Sequence, residues 1–345
     1  AYEIYQCDWS SDVCSSDLSS GFRTRTLNQP RVVALGGGHG LAASLRALRQ
    51  ITSQLTAIVT VADNGGSSGR LREEFQSLPP GDLRMALAAL CSDDEWGRSW
   101  AEIMQYRFTS SGSLNGHALG NLLLTALWDR DEDPVQGLDR VGALLKVVGR
   151  VLPMALEPLD IEGTFKTWEG THVVRGQKEV AVAKGNLENL TLIPNNPTPT
   201  HEGLDAIARA DFITIGPGSW FSSVLPHLLV SAQRDALIQS RAKKVIVLNL
   251  DAAPHMIGDE FAGNSPSDHL RVIQKFAPGL KCDIALVDKS VGSQPKVLQE
   301  LDDLVAALGG RVFVADLAIE NEPNHHDHAK LFSAFTHIFQ SEMLR

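Results

Sequence analysis

Four apolar residues that run directly into a glycine-rich turn constrain the fold of this chain more than any other feature. The segment reads RVVALGGGHGLAASL, in which Val32–Leu35 is typical of a strand buried on both faces and the stretch after Gly40 is typical of a helix. Glycines at a strand-to-helix turn let a ligand approach the backbone, and the free N–H groups of the first helical turn attract anions. The turn therefore predicts a phosphate site made of Gly36, Gly37, Gly38, His39 and Gly40. A tight turn without a ligand is the alternative, because GGGHG lacks the dinucleotide-binding spacing G-x-G-x-x-G.

Two further glycine-rich turns follow short apolar segments that are typical of strands. The second turn, ADNGGSSGRLREEF, comes after Leu55–Val61, and the third, GPGSWFSSVLPHLLV, comes after Phe212–Ile215. Because ligands of open α/β sheets bind outside the carboxyl ends of the strands, we expect the three turns to converge on one site. The further nucleotide-binding candidates in these turns are Asp63, Asn64, Gly65, Gly66, Ser67, Ser68, Gly216, Pro217, Gly218 and Ser219.

Asp63 is the candidate in this set for metal binding or catalysis. A carboxylate at the end of a strand can bind Mg²⁺ or accept hydrogen bonds from a ribose, and Ser67 and Ser68 can donate to a phosphate. The alternative for all three side chains is that they cap the helix that we expect to begin near Ser68.

Two predicted helix starts carry four more candidates for nucleotide binding. In LPPGDLRMALAALC, Asp82 is expected to be the N-cap of a helix over Leu83–Leu90. Arg84 opposes the dipole of that helix, so an anionic ligand or a carboxylate should compensate it. In LNGHALGNLLLTALW, His117 and Asn121 lie at the start of an apolar helix. For His117, a local structural hydrogen bond is the alternative.

Charge and composition limit the ligands and the cellular context. The 345 residues carry a formal net charge of −10, so we expect no general affinity for nucleic acid, and an anionic ligand needs local donors. Apolar runs stay well short of the roughly 18 residues of a membrane span. Cys91 and Cys282 have no metal or redox spacing and suit a reducing cytoplasm. His325, His326 and His328 are interpreted as a solvated helix entry rather than a metal site.

The pattern along the chain indicates one α/β domain with flanking additions. Residues 1–18, AYEIYQCDWSSDVCSSDL, closely resemble the in-frame translation of a DNA-sequencing library adapter and are left out of the predicted fold; a disordered tail is the alternative. Residues 19–30 are interpreted as an N-terminal extension. Residues 31–345 are predicted to form a Rossmann-like, doubly wound and mostly parallel sheet. Alternating apolar residues over about 151–194 predict a small antiparallel β insertion.

Six motifs in this order closely resemble the YvcK-type gluconeogenesis factors of bacteria, relatives of the CofD phospholactate transferases. They are GGGHGLAASLRAL, VTVADNGGSSGRLREE, LPPGDLRMALAALC, GHALGNLLLTALW, GRVLPMALEPLDI and GPGSWFSSVLPHLLV, and they extend over roughly residues 31–288. The HG of the first turn, the segment GDLRMALAALC and the segment GSWF are similar to those of the actinobacterial branch of the family. The resemblance implies a cytoplasmic homodimer that binds nucleotides, UDP-sugars in particular. It also implies a regulatory link, through protein partners, between gluconeogenic carbon supply, cell-wall precursor synthesis and cell shape.

The chain departs from the family pattern at three places. Asn64 stands where the family usually has a second aspartate, which weakens a role that needs paired carboxylates around a metal. The loop 251–264, DAAPHMIGDEFAGN, is longer than its family counterpart, with Glu260 in place of the family's acid and Asn264 near an aromatic position. Gln177 replaces an acid that often follows the family's glycine.

Three functions are compatible with these patterns. The first, which we favour, is a UDP-sugar-binding regulator without turnover. The second is a CofD-like enzyme that transfers a phospholactyl group from a nucleotide diphosphate ester with Mg²⁺, using Asp63 as metal ligand or base. The third is an NAD(P)-dependent oxidoreductase, which is disfavoured because the G-x-G-x-x-G spacing and a proton-relay motif are missing from the sequence.

Overall fold

Seven parallel strands form the centre of the fold, which a computed structural model describes for residues 29–250 and 265–344. Four of them are almost uninterrupted apolar runs, as expected for strands covered on both faces. From one edge of the sheet to the other, the strands are Arg311–Ala315 (β10), Ile284–Asp288 (β9), Lys243–Val247 (β8), Phe212–Ile215 (β7), Val32–Gly36 (β1), Leu55–Val59 (β2) and Arg150–Pro153 (β3). The predicted Rossmann-like, mostly parallel sheet is thereby confirmed.

Helices connect the strands and flank the sheet. Within the described ranges, no helix is long and apolar enough to cross a lipid bilayer. The helices are Gly38–Leu48 (α1), Gly66–Phe75 (α2), Pro80–Leu90 (α3), Glu95–Gln105 (α4), Leu119–Asp131 (α5), Pro134–Leu145 (α6), Gln177–Ala181 (α7), His201–Arg209 (α8), Pro226–Leu229 (α9), Ser231–Gln239 (α10), Pro266–Phe276 (α11), Lys289–Gly292 (α12), Pro295–Ala307 (α13) and His328–Met343 (α14), with a π-helical turn over Trp220–Val224.

The direction of chain progression reverses between β1 and β7. The chain starts at β1, moves outward to β2 and β3, returns to β7 on the other side of β1 and then continues to β8, β9 and β10. β1 and β7 pair in register from Val32 opposite Phe212 to Leu35 opposite Ile215. The first and third glycine-rich turns therefore leave the sheet side by side, at the position where open α/β sheets bind ligands.

The β insertion is shorter than predicted and contains a helix. Because β3 joins the main sheet beside β2, the antiparallel sheet begins at Asp160 instead of near residue 151. Its strands are Asp160–Thr167 (β4), Gly170–Arg175 (β5) and Asn186–Ile193 (β6), in the order β5-β4-β6. The alternation does not continue as strand throughout, because β5 ends at Arg175 and α7 follows.

The insertion is held against the main sheet by aromatic and aliphatic contacts. Phe165 in β4 and Val180 in α7 are both fully buried. The ring centroids of Phe165 and Phe221 lie 5.9 Å apart in an edge-to-face arrangement, so β4 packs directly on the π-helical turn. The insertion is thus fixed to the segment that follows the third glycine-rich turn.

A second antiparallel pair lies near the C-terminus. Its strands are Ala318–Ile319 (β11) and Glu322–His326 (β12), and α14 follows directly. His325 and His326 lie in β12, and only His328 belongs to the entry of α14. Within the described chain, no cluster of three or more His, Cys, Asp or Glu side chains could hold a metal. The adapter-like residues 1–18, most of the extension 19–30 and the loop 251–264 with Glu260 and Asn264 lie outside the described residues.

Candidate functional site

The first and third glycine-rich turns are in direct backbone contact. A Cβ atom on Gly40 would collide with the carbonyl group of Pro217 and lie 2.9 Å from the backbone nitrogen of Gly218. Gly218 has a φ of +144°, which side chains rarely tolerate. Asn249, which follows β8, accepts a hydrogen bond from Gly218 N at 3.1 Å and donates one to Gly218 O at 3.0 Å. The two turns therefore form one continuous surface at the end of the sheet.

Ser219 has a structural partner in the third turn. Its hydroxyl group accepts a hydrogen bond from the backbone N–H of Ser222 at 3.3 Å and contacts the hydroxyl of the same residue. It thereby caps the π-helical turn. Gly216 donates its N–H to the carbonyl of Leu35 at 3.0 Å, which ties the turn to the end of β1.

The second turn adjoins the first through two aspartates. Asp63 accepts a hydrogen bond from Gly65 N at 2.8 Å, which closes a turn ahead of α2 instead of capping the helix itself. One carboxylate oxygen of Asp82 lies 2.6 Å from the place a Cβ of Gly37 would occupy. One oxygen of Asp63 lies 3.0 Å from the corresponding position of Gly81. The two carboxylates therefore approach the same crevice between the first turn and α3.

Asp82 is not the N-cap that the sequence predicts. The helix starts earlier, at Pro80, because proline is favoured in the first helical turn, and Pro79 occupies the cap position. Asp82 lies within the first turn and accepts a hydrogen bond from the backbone N–H of Gly38. Burial, followed by the charge of Asp63, raises the pKa of Asp82 to about 7. Negative charge is thus in excess in this crevice, which favours a proton or a cation between the two carboxylates.

The raised pKa of Asp82 predicts a stability that depends on pH. Because the folded state binds this proton more tightly than the unfolded state, Asp82 stabilises the fold at low pH, and that contribution is lost as the pH rises through about 7. We expect Asp82→Asn, which keeps an oxygen for Gly38 N, to gain thermal stability relative to the wild type between about pH 5 and pH 8. Thermal midpoints measured across this range test the prediction, and parallel curves for both proteins would contradict it.

Four predicted residues form one buried hydrogen-bonded chain. Arg84, which is only 2% exposed, donates from Nε to Asn121 Oδ1 at 2.8 Å and from Nη1 to the Gln105 side chain. Asn121 Nδ2 donates to Ser67 Oγ at 3.0 Å, and Ser67 Oγ lies 3.0 Å from His117 Nδ1. The His117 ring therefore takes part in a structural hydrogen bond, and burial lowers its pKa. These hydrogen bonds fix the position of the Arg84 guanidinium group.

His227 supports the first turn from below. It is fully buried, and its Nε2 lies 3.2 Å from the carbonyl oxygen of Gly36, while Gln233 Nε2 lies 3.0 Å from its Nδ1. These contacts fit a neutral ring that donates from Nε2 and accepts at Nδ1. Burial lowers the pKa of His227 to about 4, which keeps the ring neutral. The sequence carries no signal for this role, because its partner is a backbone carbonyl 191 residues away.

A cavity of about 660 Å³ opens beside the first and third turns. Its lining includes five of the nucleotide-binding candidates predicted from the sequence: His39, Gly40, Arg84, Pro217 and Gly218. No residue of the second turn is in its lining. Polar lining residues that sequence reasoning missed come from four separate segments: Arg46, Gln105, Arg107, Asn249, Glu322, Asn324, His325 and His326.

Similarity to known proteins shows the family to which this fold belongs. The profile of the family described as 2-phospho-L-lactate transferase CofD matches residues 32–317. The chain belongs to the CofD family. The match includes all three glycine-rich turns and ends at Leu317, so β11 and β12, which contribute to the cavity wall, lie beyond it.

Several relatives of this CofD-family protein carry the name gluconeogenesis factor. The putative gluconeogenesis factor of Mycobacterium tuberculosis is 45% identical over 298 residues, which are 85% of this chain and 86% of the relative. The gluconeogenesis factor of Halalkalibacterium halodurans is 39% identical over 262 residues, with 76% of this chain and 77% of the relative covered. The crystal structure of protein BH3568 from Bacillus halodurans superposes with a TM-score of 0.77 at 34% identity, covering 90% of this chain and all of that chain. The resemblance inferred from the six motifs is confirmed.

Proposed function

We propose that this CofD-family protein is a regulator that binds a nucleotide sugar of the UDP-N-acetylglucosamine type. The observation that supports this most is the contact of the first and third turns at the point where the strand order reverses, with a cavity beside them. Backbone N–H groups at the start of α1 suit a diphosphate. A volume of about 660 Å³ lies within the usual range of small-molecule sites, so the rest of the ligand has space in the cavity.

The names of the relatives support a proposal for the physiological role of the protein. Their name, gluconeogenesis factor, suggests that the bound nucleotide sugar reports on gluconeogenic carbon supply. We further propose that the protein is a cytoplasmic homodimer that passes this state to protein partners, which direct carbon towards cell-wall precursors and so affect cell shape. The proposal requires ligand binding and no turnover.

A phospholactyl transferase is the second candidate, and the crevice between Asp63 and Asp82 favours it. The excess negative charge there suits Mg²⁺, which would offset charge that develops on a transferred phosphoryl group. Asp63 and Asp82 would hold the ion. Asn64, the departure from the family pattern, donates from Nδ2 to Glu179 Oε2 in α7 at 3.4 Å and provides no second carboxylate.

Thermal stabilisation by ligands tests the two candidates together. We expect UDP-N-acetylglucosamine and UDP-glucose to raise the thermal midpoint without Mg²⁺, whereas NAD and NADP do not. At about 100 times its Kd, a ligand adds roughly 2.7 kcal/mol to the free energy of unfolding, which is easily measured. Stabilisation by GDP only with Mg²⁺, and its loss in Asp63→Ala, would instead support the transferase. No response to any nucleotide would contradict both candidates.

A further inference from the structure

One end of the cavity carries three arginines. Arg46 comes from the last turn of α1, Arg84 from α3, and Arg107 from the segment after α4. The position of Arg107 is fixed, because its residue pairs with Ala118 in an antiparallel bridge and its Nη1 donates to the carbonyl of Gly116 at 2.9 Å. We call these three residues the arginine cluster. It combines one buried cation with two exposed ones around the same space.

The arginine cluster has no carboxylate partner within the described residues. Arg84 donates to the neutral amides of Asn121 and Gln105, and Arg107 donates to a backbone carbonyl. In contrast, Arg72 pairs with Asp160 at 2.7 Å, as is usual for arginines of this chain. Among the described residues that line the cavity, one carboxylate is present, that of Glu322, and it lies 3.5 Å from His325 Nδ1. Positive charge is therefore concentrated at this end of an otherwise acidic protein.

The cations act on one another across the cavity. Burial, and then the charges of His325, Arg46 and Arg84, lower the pKa of His39. Burial, and then the charge of Arg107, lowers the pKa of Arg84 to about 10, although the charges of Asp82 and Asp63 act in the opposite direction. Like charges that lower each other's pKa raise the free energy of the empty site, and an anion would remove that cost.

The arginine cluster is distinct from the glycine-rich turns. Arg46 is eight positions after Gly38 in α1, which places the two Cα atoms about 12 Å apart along the helix axis at 1.5 Å per residue. The turns present backbone N–H groups, whereas the cluster presents guanidinium groups that favour bidentate contacts with carboxylates and phosphates. The cavity lining therefore includes two kinds of anion-binding group.

We infer that the arginine cluster binds a second anionic group of the ligand, a carboxylate or a phosphate monoester, separate from the diphosphate at the glycine-rich turns. This inference rests on the proposed function and deepens it, because it ranks the ligands within the class of UDP-sugars: one with an acidic group on the sugar binds more tightly than one with a neutral sugar such as N-acetylglucosamine. A neutral sugar nucleotide would leave the cluster uncompensated and bind more weakly.

Two ligands that differ by one carboxylate test the inference on the full chain. UDP-glucuronate has a carboxylate where UDP-glucose has a hydroxymethyl group, so we expect it to bind at least about tenfold more tightly, as for a charge-assisted hydrogen bond. Arg107→Gln, at an exposed position, should reduce that preference to about twofold or less, chiefly by weakening the binding of UDP-glucuronate. The matched control is Arg241→Gln, an exposed arginine two residues before β8, at the amino ends of the parallel strands and so away from the glycine-rich turns. Calorimetric titration measures all six affinities.

The outcomes separate this inference from the proposed function. Equal affinity of the wild type for the two ligands would overturn the second anionic site and leave the proposed function intact. If neither ligand binds, the proposed function fails, and inorganic phosphate then tests the arginine cluster alone. Phosphate at constant ionic strength should raise the thermal midpoint of the wild type but not of Arg46→Gln or Arg107→Gln. An equal response of all three proteins would overturn the inference.

Discussion

Replacing Gly40 by alanine is expected to push the first and third glycine-rich turns apart and to weaken nucleotide binding at least tenfold. The new Cβ would meet the carbonyl of Pro217 and the nitrogen of Gly218, and backbone atoms cannot rotate away as a side chain can. Asn249 holds Gly218 by two hydrogen bonds, so the strain cannot be relieved by moving the third turn alone. Overpacking of this kind costs about 1–3 kcal/mol, and we expect a loss of stability in that range.

Gly112→Ala is the matched control for this substitution. A Cβ on Gly112 would have no heavy atom within 4 Å, and the residue lies in an exposed loop. Its unfolding free energy and affinity for UDP-N-acetylglucosamine should therefore match those of the wild type within about 0.5 kcal/mol. Denaturant unfolding measures the unfolding free energy of both variants, and calorimetric titration measures their affinity for the nucleotide sugar. Wild-type affinity in Gly40→Ala would show that the nucleotide does not bind at these turns.

Replacing Phe165 by alanine is expected to produce the largest loss of stability among single substitutions in the insertion. The ring is fully buried, and it contacts Phe221 of the π-helical turn and His172 of β5. Truncation of a buried phenylalanine typically costs about 3–5 kcal/mol, through lost burial and the cavity left behind. Since Phe221 follows the third turn directly, we also expect weaker ligand binding in the variant that remains folded at low temperature.

Trp168→Ala provides the control in the same hairpin. Trp168 is 92% exposed at the connection between β4 and β5, so its removal should change the unfolding free energy by no more than about 0.5 kcal/mol. Urea unfolding followed by far-UV circular dichroism measures both variants. A loss below about 1 kcal/mol for Phe165→Ala would show that the insertion is not anchored through this ring.

The strands of the main sheet can be predicted from the sequence, because strands that are buried on both faces are apolar runs. Phe212–Ile215 has the predicted bounds, and β1 differs from the prediction by one residue. Local sequence signals predicted the wrong helix start where the N-cap preference and the proline preference competed. Asp82 has the residue type of an N-cap, but the prolines before it start the helix earlier.

The far side of the cavity could not be predicted, because its residues meet only through long-range packing. Arg107, Asn324 and His325 are far from the glycine-rich turns in sequence, and none of them belongs to a recognisable motif. Tertiary contacts between α1, α14 and β12 bring that wall against the first turn. By contrast, the turns themselves were predicted from local pattern alone, because glycine and short polar residues have few other uses at the end of a buried strand.

The C-terminal hairpin has a consequence for how such proteins diversify. The family match ends at Leu317. The strand β12 lies entirely beyond it and contributes Glu322, Asn324 and His325 to the cavity lining. Substitutions there alter what surrounds the ligand without disturbing the backbone contact between Gly40 and Pro217. Under the proposed function, selection can therefore act on ligand choice and on diphosphate affinity as separate traits.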